Sequence, residues 1–439
     1  MDIQSAANLL CKITGIIRTE LINREKSTIY IRGKRAFKNP LKLGFETLVT
    51  LLLLPLRNSI QLELGRASGY GDCASKSAFV QAREKLNPRY FRALNTGIME
   101  VLESHGVTGN TQYKGLKLYG VDGSTIFLPQ TKACSRVFGS AKNQHGEQVF
   151  ARACFLVDLL GGACHGASLG RYNAGERYLA RPLFEQLEPG SVCVLDRLYP
   201  SGDLFYRLQA RGVFFVARCK ESFNSVVKAF AAGEADMLDT GMCLSERAVS
   251  SLRASGFEVT RKTSLDVRLI RFHLPGGGVE YLITNLFRAD LGVADYGEIY
   301  RMRWAVETLI DKVKNKLRVE HFSGEKPENV RQDFHAAVCK YNMALLPVTL
   351  AQRVLDEAGK ARGEAPRKVN FNMAFHVYGD ILRQNLQSPE LLAEACGDVI
   401  KFLVRFTEAS RPWRSFPRGR RCNKVRGRCW YSTNHKYCA

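Results

Sequence analysis

The sequence predicts an α/β protein: a sheet carrying helices on its faces, with helical regions before and after it. Three observations carry this. Residues up to about 105 read as helical, strand-like and helical segments alternate between Lys114 and about residue 220, and a β-rich stretch interrupts that order before helix returns. In the first region "FETLVTLLLLPL" reads as one apolar helix, and "ASKSAFVQAREKLNPRYFRALNTGIMEVLESHG" as two more, broken at Asn87-Pro88. "GLKLYGVDGSTIFLP" is strand-like with a turn at Asp122-Gly123, and "ARACFLVDLLGGACHGASLG" is a hairpin turning at Gly161-Gly162. A helix from about Ala174 to Leu187 leads to "SVCVLDRLYPSG", a short apolar strand stopping at Asp196. The helix "SGDLFYRLQARG" and the strand "VFFVARCK" follow. From about Glu221 to Glu280 the run "SLDVRLIRFHLPGGGVEYLITNL", turning at Pro275–Gly278, marks a β-rich insertion. After "YLITNLF" the chain returns to helix, and Leu355 to Phe406 reads as helical.

The chain has 439 residues, enough for two or three domains, with 64 Lys plus Arg against 42 Asp plus Glu, a net charge of +22. Such a balance points to a polyanion, and nucleic acid is the usual one. The excess is concentrated at the ends: nine Lys or Arg and no acid from Arg411 to Ala439, and eight bases against two acids between Arg18 and Lys42. "SKSAFVQAREKL" reads equally as a basic helix against DNA and as an ordinary helix with Arg83 and Lys85 in solvent. The longest apolar run, Thr47 to Leu56, is too short to span a bilayer and contains Pro55, and the N-terminus lacks the marks of a secretory signal. Thirteen cysteines without a CxxC pair suit reduced thiols in a cytoplasm. Cys422, Cys429, His435 and Cys438 in the tail match no common zinc module.

Asp122 and Asp196 each stand where an apolar strand is expected to end, a place where rigid strands hold functional side chains beside open loops. Turns also favour Asp, so neither is decisive alone. A third acid, Glu307, lies in "EIYRMRWAVETLIDKVKNKLRVEHF", Glu298 to Phe322. At about 100° per residue, Tyr300, Arg303, Glu307 and Lys314 share an arc of roughly 60° over about 21 Å, at the rim of an apolar face. A solvated edge with helical charge pairs has the same pattern. Three converging carboxylates would tolerate joint ionisation only with bound cations. Oxygen-only ligands suit Mg²⁺ or Mn²⁺, and two such ions about 4 Å apart serve in-line phosphoryl displacement.

Tyr300, Arg303, Glu307 and Lys314 fit Tyr-x2-Arg-x3-Glu-x6-Lys, and the sequence resembles bacterial insertion-sequence transposases of the DDE class carrying that motif. "VDGST" at Asp122, "LDRLY" at Asp196, "YLITNL" and the tail segment "RPWRSFPR" extend the resemblance over most of the chain. It implies an RNase H-like catalytic core interrupted by a β-rich insertion, with a helical N-terminal domain and a helical, basic C-terminal region. The expected domains are a helical DNA-binding domain at 1–105, the core at 106–220 and 281–350, the insertion at 221–280, and the C-terminal region at 351–439. The resemblance implies that Asp122, Asp196 and Glu307 are the catalytic acids and hold two Mg²⁺ or Mn²⁺ ions. Tyr300, Arg303 and Lys314 would contact transposon-end phosphates, with Arg197 and Tyr199 also touching the strand. Asp311 is the nearest rival for the third acid, and Leu198 stands where many relatives carry Gly. Within the insertion, Phe223 and Phe272 are candidates to hold a flipped base or, more plainly, core residues.

The expected activity is cut-and-paste transposition in the cytoplasm and on the nucleoid. Its partners would be double-stranded transposon ends and target DNA, with a homodimer in the synaptic complex and no membrane. Two rival readings are a transposase-derived DNA-binding protein without cleavage activity and an RNase H-like, structure-selective nuclease.

Overall fold

A computed structural model describes residues 1–24, 29–33, 36–37, 43–54, 58–109, 111–144, 146–274, 277–362, 365–387 and 389–410. The basic tail with its cysteines, and five of the eight bases between Arg18 and Lys42, lie outside the described residues, as does the start of the Pro275–Gly278 turn. The strands are β1 (Leu118–Phe127), β2 (Ser140–Asn143), β3 (Gly146–Asp158), β4 (Cys164–Arg171), β5 (Val192–Leu195), β6 (Phe214–Cys219), β7 (Met237–Cys243), β8 (Ser264–His273), β9 (Val279–Thr284), β10 (Arg367–Val369) and β11 (Thr407–Ala409). The helices before the sheet are α1 (Ile3–Ile16), α2 (Ile22–Arg24), α3 (Phe45–Leu53), α4 (Ile60–Ala67), α5 (Lys76–Glu84) and α6 (Arg89–Ser104). Those among the strands are α7 (Lys132–Phe138), α8 (Glu176–Phe184), α9 (Gly202–Ala210), α10 (Ser225–Ala232) and α11 (Glu246–Arg253). After β9 come α12 (Val293–Met302), α13 (Trp304–Asp311), α14 (Pro327–Arg362), α15 (Phe371–Gln387) and α16 (Leu392–Arg405).

The chain divides into two compact units. One comprises Thr108–Ile126 and Phe138–Lys312, the other Met1–Val107, Phe127–Val137 and Val313–Ala439. The first is built on a mixed nine-stranded sheet in the order β2-β3-β1-β5-β6-β9-β8-β7, with β4 pairing to β3. β1, β5 and β6 run parallel, while β2–β3, β3–β4, β6–β9, β8–β9 and β7–β8 are antiparallel. All four residues of β5 are buried, as a strand covered on both faces requires. The β3–β4 hairpin closes with Gly162 donating to the Asp158 carbonyl at 2.8 Å, and Gly162 has φ +72°, a backbone region glycine enters without strain. The β-rich stretch does not fold apart: β7, β8 and β9 extend the same sheet from β6.

Alternate side chains divide between the two sheet faces. Tyr119, Val121, Cys193 and Leu195 pack on one side with Leu183 and Phe184 of α8 and with α9, whose Phe205 stacks on Phe215 at 4.1 Å. Each such side chain withdrawn from water contributes about 1.5–3 kcal/mol. Gly120, pointing the other way, meets Val306 of α13 and Leu159.

In the other unit, α6 buries Tyr90, Phe91, Leu94, Ile98 and Leu102 at helical spacing, and Asn342 of the long α14 donates to Asn95 at 2.8 Å in the interior. The break at Asn87-Pro88 is present, with Pro88 capping α6. Arg83 corrects both sequence readings of its helix, since it is 0% exposed. Its guanidinium donates to Gln332 (2.9 Å), Ser323 (2.7 Å), the Asn329 carbonyl (3.2 Å) and Asp333 (2.8 Å). With four of its five donors engaged and no surface exposed, this guanidinium holds helices together and is out of reach of DNA. Among the described residues no helix is long and apolar enough to cross a membrane.

Candidate active site

The parallel register places the first two acids. Val121 of β1 lies opposite Leu195 of β5, so Asp122 and Asp196 follow as neighbours on adjacent strands. Asp196 stands just past the end of β5, where the chain turns with the Tyr199 amide donating to the Asp196 carbonyl at 3.0 Å. Asp122 differs from expectation: β1 runs on to Phe127, so this acid is within the strand and not in a turn. Pairing between β1 and β5 ends at Val121 and Leu195, so from Asp122 onward β1 runs on past the end of its neighbour. Asp122 Oδ1 accepts from the Gly123 amide at 2.8 Å.

The third acid arrives on α13, but the stripe-bearing helix is not continuous. Arg303 separates α12 from α13. There the backbone tightens, with the Arg303 amide donating to the Tyr300 carbonyl (3.1 Å) and the Val306 amide to the Arg303 carbonyl (3.0 Å). These are i→i+3 bonds, which wind the chain more tightly than an α-helix. Lys312–Lys316 then forms a π-helical turn. The uniform 100° step behind the predicted stripe holds only in pieces.

Tyr300 and Arg303 face the acids themselves. The Tyr300 hydroxyl donates to Asp196 Oδ1 at 3.2 Å. Arg303 donates through Nη1 to Asp122 Oδ2 at 3.1 Å and through Nη2 to Glu307 Oε1 at 2.5 Å. Five predicted residues therefore come together, with a guanidinium bridging two of the three carboxylates. Burial raises the Asp122 pKa above its ordinary 3.8; the Gly123 amide and Arg303 oppose this, and the charges of Glu176 and Asp196 add to it. Tyr300 is pushed up to about 12, first by burial and then by Asp196, so its hydroxyl keeps its proton. Burial works against the Arg303 charge, but the Glu307 hydrogen bond and the surrounding anionic groups outweigh it.

Two further residues belong to this neighbourhood. Glu176, the first residue of α8, lies so close to Gly123 that a Cβ there would stand 2.7 Å from its Cδ, and it pairs with Arg152 of β3 at 2.8 Å. Arg218 of β6 lies beside Tyr300, where its charge is felt, and pairs with Glu280 at 2.8 Å. Neither sits in a recognisable motif: sheet pairing brings Arg218 here, and the packing of α8 on β3 brings Glu176. Arg197 is exposed in the turn after Asp196, next to Leu198. Tyr199 is buried edge-on to Phe184 and is no strand contact, and Phe272 is buried against Gly297. Asp311 is exposed. Lys314 belongs to the other unit, where its Nζ lies 3.2 Å from Glu320.

The donor set of Asp122, Asp196 and Glu307 is all oxygen and anionic, which suits a hard divalent cation. Among the described residues, however, no group of three or more His, Cys, Asp or Glu is spaced to hold a metal ion. The cationic charge between Asp122 and Glu307 is that of Arg303.

A mixed sheet that sets two aspartates on neighbouring parallel strands, with a glutamate brought by a helix, defines the architecture of a carboxylate-centred protein. Residues 115–343, more than half of the chain, match the model of the transposase DDE domain, and the chain belongs to that family. Its fold is also similar to the cryo-EM structure of a piggyBac transposase synaptic complex with hairpin DNA, with a TM-score of 0.41 and 11% identity over 90% of this chain and 85% of that one. No curated protein matches the sequence.

Proposed function

We propose that this DDE transposase is the insertion-sequence type carrying Tyr-x2-Arg-x3-Glu-x6-Lys, and that it moves its element by cut-and-paste transposition. It binds inverted-repeat ends, cleaves a strand at each, and joins the freed 3′-hydroxyls to target DNA. The observation that supports this best is the meeting of Asp122, Asp196 and Glu307 through Arg303 and Tyr300. The strand order β4-β3-β1-β5-β6, with β1, β5 and β6 parallel, favours an RNase H-like core. We keep the domain assignment 1–105, 106–220, 221–280, 281–350 and 351–439 as part of this reading, together with a homodimer in the synaptic complex and a place in the cytoplasm and on the nucleoid.

Asp122, Asp196 and Glu307 would hold the Mg²⁺ or Mn²⁺. When bound, such ions supply Lewis-acid stabilisation and lower the pKa of an attacking water or 3′-hydroxyl. The chain's own groups do the rest. Tyr300, protonated at neutral pH, fixes the rotamer of Asp196. Arg303 holds Asp122 and Glu307 in register, and its guanidinium competes with a divalent cation for the same oxygens. Once it yields them, its planar fork is free to bind a phosphate bidentately. Lys314 and Arg197 would add phosphate contacts.

The test incubates the protein with its own flanking DNA ends and Mg²⁺, beside Asp122→Asn, Asp196→Asn and Glu307→Gln. Strand cleavage by the wild type alone, with every variant still binding, is the expected result. Specific binding without cutting in either Mg²⁺ or Mn²⁺ would sink the enzyme reading and leave a DNA-binding derivative. Cutting of branched DNA without preference for the ends would point to a structure-selective nuclease.

A further inference from the structure

On the α8, α9 and α11 side of the sheet lies a cavity of about 660 Å³, within the range of small-molecule sites. Five arginines line it, Arg177, Arg181, Arg207, Arg211 and Arg247, against two acids, Glu185 and Asp203. The acids offset this charge only in part. Asp203 accepts from the Ser251 hydroxyl at 3.2 Å, and Arg211 donates to the backbone carbonyl of Glu185 at 2.7 Å. The side chains of Arg177, Arg181 and Arg247 have no hydrogen-bond or carboxylate partner among the described residues. Arg207 is half-buried, donates to Ser251 and Ser255, and has a buried Nε without a partner. Burial first, and then repulsion from Arg181, disfavour its charged form, with Asp203 and Glu185 opposing.

A second feature is independent of the arginines. The N-cap residues of four helices, Gly175 of α8, Ser201 of α9, Asn224 of α10 and Ser245 of α11, all line this cavity. Those of α8 and α9 have no side-chain cap, which leaves first-turn N–H groups available. Each helix start carries roughly half a positive charge, and an anion is its natural partner. Phe223 and Phe257 supply apolar wall, with the Arg207 guanidinium 5.3 Å above the Phe257 ring. At about 660 Å³ the cavity is too small to enclose duplex DNA, and one monovalent anion would leave most of this charge unmatched.

We propose that this pocket binds two or three neighbouring phosphates, as presented by a nucleoside triphosphate or by a short stretch of single-stranded DNA. Cys243, the exposed one among the described cysteines, lines the same cavity and provides a reporter.

The full-length protein is titrated with tripolyphosphate, ATP and hexathymidylate at fixed salt. Affinity is measured by calorimetry, and protection of Cys243 from alkylation by peptide mass spectrometry. Saturable binding with protection of Cys243 is expected. Arg181→Gln and Arg247→Gln should each weaken it about tenfold, and the double variant about a hundredfold, with an unchanged circular dichroism spectrum. A Lys360→Gln/Lys401→Gln variant removes the same charge elsewhere and should bind as the wild type does. ATP binding without hexathymidylate binding identifies a free nucleotide as the source, and the reverse identifies DNA; either supports the site. No saturable binding, no loss in the double variant, or an equal loss in the lysine control overturns it. DNA-end cleavage can persist in every one of these cases, so failure here leaves the transposition reading untouched.

Discussion

Gly120→Ala tests how the site is assembled. A Cβ at Gly120 would stand 2.6 Å from Val306 Cγ2 and 2.7 Å from Leu159 Cδ2. Ordinary carbon contacts lie near 3.5–4.0 Å, so both neighbours must retreat by about 1 Å. Val306 precedes Glu307, and Gly120 stands two residues before Asp122. The added methyl therefore presses on the side chain next to Glu307, and the resulting strain is expected to reach the helix and strand that carry two of the acids. Overpacking of this kind costs about 1–3 kcal/mol. The Arg303 bonds to Asp122 and Glu307, at 3.1 and 2.5 Å, cannot both survive a displacement of that size. We expect a lower denaturant midpoint, a fall in end cleavage of about a hundredfold, and unchanged affinity for DNA ends. Gly359→Ala is the control: its Cβ meets nothing within 4 Å in α14, and it should be neutral or stabilising by about 0.5–1 kcal/mol. Wild-type stability and cleavage in Gly120→Ala would refute the close approach of β1 and α13.

Arg83→Ala should cost about 3–5 kcal/mol, because Asp333 and Gln332 lose a buried hydrogen-bonding partner; a change below about 1 kcal/mol in chemical denaturation would contradict that role. Burial, then repulsion from Arg92 and Arg331, holds His335 down at about 3 against an ordinary 6.5. Between these values the unfolded chain binds a proton that the folded one refuses, so stability is lost as pH falls from 6.5 towards 3, by at most about 1.4 kcal/mol per pH unit from this group. Denaturant midpoints measured across that range should show a shallower slope in His335→Gln, and an identical slope would remove His335 as the cause. Arg303→Gln leaves Asp122 and Glu307 without their shared cation. Added Mn²⁺ should then raise the melting temperature of the variant more than that of the wild type, whereas equal shifts would mean that guanidinium and metal do not compete.

The sequence by itself determined the α/β class, the helical first region, the break at Asn87-Pro88 and the β3–β4 hairpin. These rest on periodicity and turn chemistry, which are properties of adjacent residues. It also singled out Asp122, Asp196, Tyr300, Arg303 and Glu307, because the spacing of a motif is written along one chain. What those side chains touch was decided by tertiary structure. Parallel register between β1 and β5 makes the two aspartates neighbours, and the tightened backbone at Arg303 turns Tyr300 and Arg303 onto the acids. Glu176, Arg218 and the arginine cavity carried no local signal, since their partners lie on strands and helices remote in sequence. Arg83 shows the same limit from the other side: its neighbours in sequence resemble a solvated basic helix, and only the packing of α5 with α14 puts its charge in the interior. Local patterns choose elements, but burial and charge pairing belong to whatever the fold brings alongside.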